Sequence, residues 1–232
     1  MHIGMLLFPN LTQLDLTGPH EVLARLPGAT VHLVAKTRDP VRSETGLTIV
    51  PTVTFADAPE IDLLFCPGGY GQIAATDDAE TLAWIRGAGS TARWITSACT
   101  GALLLGAAGL LVGYRAATHW AFMDLLPLVG AIPEAKRVVV DRNRITGGGV
   151  TAGIDIALTI VAEVAGREVA EQIQLNLEYA PEPPFTAGHP STAPAALVEL
   201  LRARIAPRHA ERKAQLQKIG LMTLMSLPPM NE

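Results

Sequence analysis

The feature that most constrains this sequence is an alternation. Short runs apolar at nearly every position, at residues 2–8, 30–35, 61–66 and 93–96, are separated by stretches of helical character. Strands apolar on both faces must be covered on both faces, and parallel strands need long crossovers, which helices supply. The pattern predicts an α/β fold: a three-layer sandwich with a mostly parallel central sheet and helices on both faces. A chain of 232 residues, 49% hydrophobic and only 17% charged, can bury one large core. One domain is expected over residues 1–195, followed by a C-terminal helical extension and tail over 196–232.

Within that frame a helix is predicted over residues 17–26, with Thr17 as cap and Pro19 in the first turn, and another over 77–87, opened by acidic residues. Residues 136–141 and 144–146, split by Arg142 and Asn143, read as a late hairpin. GGGVTAGIDIALTIVAEVAG opens a buried helix, and REVAEQIQLNLEY continues as helix. Residues 180–195 are rich in Pro and small polar residues and predict a loop wrapped over the main domain. RARIAPRHAERKAQLQKIG is basic and helix-forming; LMTLMSLPPMNE is an apolar tail.

The chemistry centres on Ser97-Ala98-Cys99-Thr100-Gly101, where a β-run gives way to small and apolar residues that suit a helix. Ligand crevices of open α/β sheets lie beyond the carboxyl ends of the strands, so a side chain at such a turn faces the crevice. Small residues two before and two after the thiol meet the demand of a sharp nucleophile elbow. A helix N-terminus at Cys99 would stabilise a thiolate and lower its pKa, and the Thr100 N–H would point at charge developing on a substrate. The alternative is a structural buried thiol; Cys66, in IDLLFCPGG, fits that role.

Pro67-Gly68-Gly69 ends the preceding strand, and the Gly69 N–H is expected to join that of Thr100 in a two-donor hole, unless the glycines form an ordinary tight turn. A nucleophilic thiol wants a proton partner. The candidates are Asp15, placed between the first strand and first helix among apolar neighbours, and His119 in AATHWAF. A turn or cap role for Asp15 and a satisfied core position for His119 stay open beside the catalytic ones. Gly147-Gly148-Gly149-Val150-Thr151-Ala152 matches a dinucleotide-binding pattern, but helix follows it where a second strand should. Its glycines are expected to let backbone approach the cysteine crevice.

Composition narrows the classes further. A net charge of -4 argues against nucleic acid as a partner. The scattered histidines and two cysteines offer no metal-ligand spacing, so no metal and no cofactor are expected. The N-terminus lacks the pattern of a secretory signal and the longest apolar run is short of a bilayer span, which predicts a cytoplasmic protein that does not enter a membrane.

DLTGPHEVL, FCPGGYG, ITSACTGALLLGAAGLL, RAATHW and TGGGVTAGIDIAL together resemble the class I glutamine amidotransferase-like superfamily, in the branch of the PfpI-type proteases and related deglycases, over the chain as far as about residue 195. The resemblance implies a flavodoxin-like fold and a homodimer. EYAPEPPF makes the isonitrile-hydrating members of the branch the most similar. Such a member adds water to a small isonitrile to give an N-substituted formamide through a covalent cysteine thioimidate. By position the resemblance implies Cys99 as nucleophile, Asp15 as acid/base carboxyl, Thr100 as a neighbour needed for activity, Gly69 as oxyanion-type donor and His119 beside the thiol. PfpI-type proteases carry histidine directly after the cysteine; Thr100 stands there instead and speaks against proteolysis. Two other activities share these motifs: deglycase or glyoxalase chemistry on reactive carbonyls, and non-catalytic sensing by the ligand-binding domain of AraC-type regulators, whose DNA-reading module has no counterpart expected in this tail.

Overall fold

The computed structural model describes residues 1–225, with side chains as far as Ile219. The end of the apolar tail, residues 226–232, lies outside the described residues. The chain runs β1 (His2–Leu6), α1 (Gln13–Leu23), β2 (Thr30–Ala35), β3 (Val41–Arg42), β4 (Thr48–Ile49), β5 (Val53–Thr54), β6 (Leu63–Cys66), α2 (Gln72–Asp77), α3 (Ala79–Thr91) and β7 (Trp94–Ser97). It continues through α4 (Gly101–Ala107), β8 (Arg115–Ala116), a 3₁₀ helix (Trp120–Val129), β9 (Ile132–Pro133), β10 (Val138–Asp141), β11 (Arg144–Gly147), α5 (Ala152–Ala165), α6 (Arg167–Asn176) and α7 (Ala195–Met225).

Seven strands form the central sheet in the order β10, β11, β7, β6, β1, β2, β5. Every neighbouring pair is parallel except the β10–β11 hairpin, where Asp141 faces Arg144. The continuous apolar runs follow from position: β6 and β7, at the middle of the sheet, are buried at every residue, because helices cover them. In β1, Ile3 lies opposite Val31 of β2 on one side and Leu63 of β6 on the other. Helix α5 packs against both α1 and α6; α2, α3, α4 and the 3₁₀ helix form a second group. The expected α/β architecture is therefore present.

Two helix starts differ from the sequence reading. Helix α1 begins at Gln13, not Thr17, with Thr12 as its first flanking residue, so Pro19 sits inside the helix and Asp15 lies in its first turn, not between strand and helix. The side chain of Thr12 makes no cap bond because its hydroxyl donates to Glu44 at 2.7 Å. Pro19 has no N–H for the carbonyl of Asp15. Its ring is tolerated because α5 presents Gly153 to it, where a Cβ would come within 2.9 Å. The acidic helix start is displaced too: Asp78 caps α3 through the N–H of Glu80, and a separate short helix, α2, precedes it.

Helix α7 lies on the 3₁₀ helix, α2 and α4. Leu216 is fully buried, Gln215 donates to the carbonyl of Ile73 at 2.7 Å, and His209 meets Asp124 at 2.8 Å. Among the described residues no helix is long and apolar enough to cross a membrane.

Candidate active site

Cys99 occupies a sharp turn between β7 and α4 with φ of +53°, left-handed backbone that a non-glycine residue adopts only when its surroundings hold it there. Two hydrogen bonds and one close approach next to it do so. Its N–H donates to the carbonyl of Gly148 at 2.8 Å, its carbonyl accepts from the Thr118 hydroxyl at 2.7 Å, and Gly101 lets α4 start against β6, since a Cβ there would stand 2.0 Å from the Cys66 carbonyl. The glycines after β11 thus bring backbone up to the cysteine, as the sequence led us to expect. The elbow presents the thiol at the carboxyl ends of β6 and β7.

Asp15 is fully buried and reaches the same point from α1. Its Oδ2 accepts the Gly68 N–H at 2.9 Å, while Oδ1 is buried without a well-aligned partner. Burial pushes this carboxyl up to about 7, against the opposing pull of the Gly68 N–H and the Cys99 thiol, and the charge of Glu44 adds to the rise. The thiol is also pushed up, first by burial and then by the Asp15 charge; the Thr100 N–H and Arg212 act in the other direction. This reverses the expected low thiol pKa: one short helix end does not outweigh burial beside a carboxylate. Above about pH 7, where the Asp15 carboxyl has ionised, the pair holds one proton between its two sites and behaves as a unit. Cys66 is buried with no charged neighbour to assist ionisation, and its thiol too is pushed up.

The expected two-donor hole is not present in that form. The Gly69 N–H donates to Oγ1 of Thr100 at 3.1 Å, so only the Thr100 N–H of that pair is directed at the sulfur. Position 69 needs glycine twice over, for its φ of +134° and because a Cβ would strike the backbone of Leu11 and Thr12. His119 starts the 3₁₀ helix and accepts the Ala121 N–H at Nδ1, 3.3 Å away, which places its remaining proton on Nε2. Burial, then the charge of Arg212, hold it down to about 4, so it is neutral at physiological pH.

Cys99, Gly69, Thr100 and His119 line one cavity of about 170 Å³. Its remaining wall went unseen in the sequence. Glu44, from the turn between β3 and β4, is held by the Thr12 hydroxyl and the Tyr70 N–H. From α7 come Ile205, Arg208, whose guanidinium stacks 3.5 Å over the Tyr70 ring, and the buried Arg212. Arg208 and Arg212 are four residues apart and so share a helix face. That spacing was available, but a basic helix reads as solvated until something is shown to cover it. Among the described residues, no three His, Cys, Asp or Glu side chains cluster in a way that could hold a metal.

Comparison with known proteins agrees with this fold. Residues 1–163 match the model of the DJ-1/PfpI family. A protein of Pseudomonas putida named isonitrile hydratase is 56% identical over 207 residues, 89% of this chain and 91% of that protein. The HTH-type transcriptional regulator GbdR of Pseudomonas aeruginosa is 30% identical over 181 residues, 74% of this chain but only 48% of the regulator. The crystal structure of a THiJ/PfpI family protein from Pseudomonas syringae superposes with a TM-score of 0.91 at 49% identity, covering 93% of this chain and 90% of that one.

Proposed function

The chain belongs to the DJ-1/PfpI family, and from that premise we propose that it is a lyase hydrating isonitriles to N-substituted formamides, with Cys99 as nucleophile and Asp15 as the proton carrier. The observation that carries the reading is the buried Asp15 carboxyl, raised to about 7 and set against the thiol at the floor of a small cavity. An isonitrile carbon must receive both a nucleophile and a proton, and one acid/base group beside one thiol supplies both.

The cycle starts with the pair's single proton on sulfur. Asp15 takes it; the thiolate attacks the terminal carbon while Asp15 returns the proton to that same carbon, leaving a thioimidate and an ionised carboxylate. Asp15 next removes a proton from water as the oxygen adds to the carbon, and passes it to nitrogen. Collapse of the tetrahedral adduct forms the formamide carbonyl and breaks the carbon–sulfur bond, and the hydroxyl proton returns through Asp15 to the thiol. The sum is one isonitrile and one water giving one formamide. The Thr100 N–H steadies the sulfur, Thr100 Oγ1 holds Gly69 in place, and His119 offers Nε2–H to the nitrogen end of the substrate. The partners in this reading are a small isonitrile and a second copy of the chain; a monomer mass by light scattering would reject the latter.

The deciding assay incubates the protein with cyclohexyl isocyanide and, in parallel, with methylglyoxal. Formamide from the first and no lactate from the second is expected. Lactate alone would assign the site to carbonyl chemistry, and tight binding of the isocyanide without turnover would make it a sensor.

A further inference from the structure

Arg212 is 1% exposed, yet among the described residues no carboxylate lies within ion-pair distance of it. Its hydrogen bonds go to neutral acceptors: Nε to Oε1 of Gln72 at 2.7 Å, and Nη2 to the carbonyl of Gly69 at 2.8 Å. Its carbon lies 4.5 Å from the centre of the Phe122 ring. A buried cation without a counter-charge is strongly unfavourable, so the charge it answers must be close by. Cys99 lines the same cavity with the Asp15 carboxyl against its thiol, and among the charges acting on Arg212 that of Cys99 favours its charged form most, ahead of Glu211 and Glu44.

We propose that Arg212, delivered by the C-terminal helix, is the positioning cation of this site: it clamps the Gly69–Gln72 segment and supplies the charge against which the Cys99 thiolate forms. Among the described residues, the other ionisable groups facing this space are Glu44, Tyr70, the neutral His119, and Arg208 and Glu211 on α7 itself. Glu44 is committed to Thr12 and Tyr70, and Arg208 stacks on Tyr70. The directions of mutual influence agree: Arg212 eases ionisation of Cys99, and Cys99 in turn favours the charged form of Arg212. The role goes beyond isonitrile hydration, since any reaction of Cys99 passes through its thiolate.

The test is alkylation of Cys99 by iodoacetamide in the full chain, followed by intact mass from acid to alkaline pH, for the wild type, Arg212→Met and Arg212→Lys. Cys66, sealed in the core, serves as the unreactive control. Removing the charge in Arg212→Met should move the midpoint of the rate profile upward by about one pH unit, slowing alkylation near neutrality about tenfold, because each unit is a tenfold change in thiolate. Arg212→Lys keeps the charge but loses the fork, and should stay within about threefold of the wild type. If Arg212→Met does not fold, Arg212→Gln takes its place against the same lysine variant. The proposal is overturned if the neutral variant keeps the wild-type midpoint, or if the lysine variant shifts as far as the neutral one, which would mean that Arg212 only holds the helix. No isonitrile is present, so this result stands apart from the hydratase assay.

Discussion

Cys99 and Asp15 are each poor at their task alone: the thiol resists ionisation and the carboxyl resists charge, both from burial. Side by side, an ionised Asp15 can accept the thiol proton, and the Thr100 N–H and Arg212 offset part of the cost of the thiolate that forms. Asp15 must be ionised to take the thiol proton, so kcat/KM is expected to rise with pH through an inflection near 7, the value to which its carboxyl is raised. Asp15→Asn should lose both that inflection and nearly all turnover while its thiol remains alkylatable. Cys99→Ala should form no formamide. Stability runs the opposite way. The folded chain holds the Asp15 proton up to about 7 and the unfolded chain only to the ordinary carboxylate value of 3.8, so between the two folding takes up a proton and stability falls as pH rises. Asp15→Asn should therefore melt above the wild type at pH 8, with the gap closing towards pH 5; a gap independent of pH would refute the buried-charge account.

Between elements, the site depends on how closely α4 can start against the end of β6. Gly101 makes that possible, and adding one methyl there forces the helix away from the Cys66 and Pro67 carbonyls. Gly101→Ala is expected to cost about 1–3 kcal/mol in denaturant unfolding, the usual penalty of overpacking, and to lower turnover as the elbow opens. This element was legible because its residues are neighbours in sequence: small side chains flank the thiol and an apolar run follows. Helix α1 was misplaced because its cue lies elsewhere. Pro19 signals a first turn by its own chemistry, and only Gly153, far along the chain, makes room for it in the interior.

Across the whole molecule, α7 closes the cavity that β1, β6 and β7 open. Its docking rests on Leu216, which is fully buried, more than on the exposed His209–Asp124 contact. Leu216→Ala should cost about 2–5 kcal/mol by chemical denaturation, and hydrogen exchange should then rise over residues 205–216. A loss below about 1 kcal/mol, the scale of a surface ion pair, would mark the helix as peripheral. What the sequence alone determined is what nearest-neighbour chemistry can specify: the parallel sheet from runs apolar on both faces, the elbow from residues 97–101, and the late hairpin of residues 136–141 and 144–146. Tertiary structure decided the rest, because burial and charge depend on every segment that packs around a group. It raised the thiol that a helix end was expected to acidify, turned the Gly69 N–H onto Thr100, and brought a guanidinium from residue 212 to the side of residue 99.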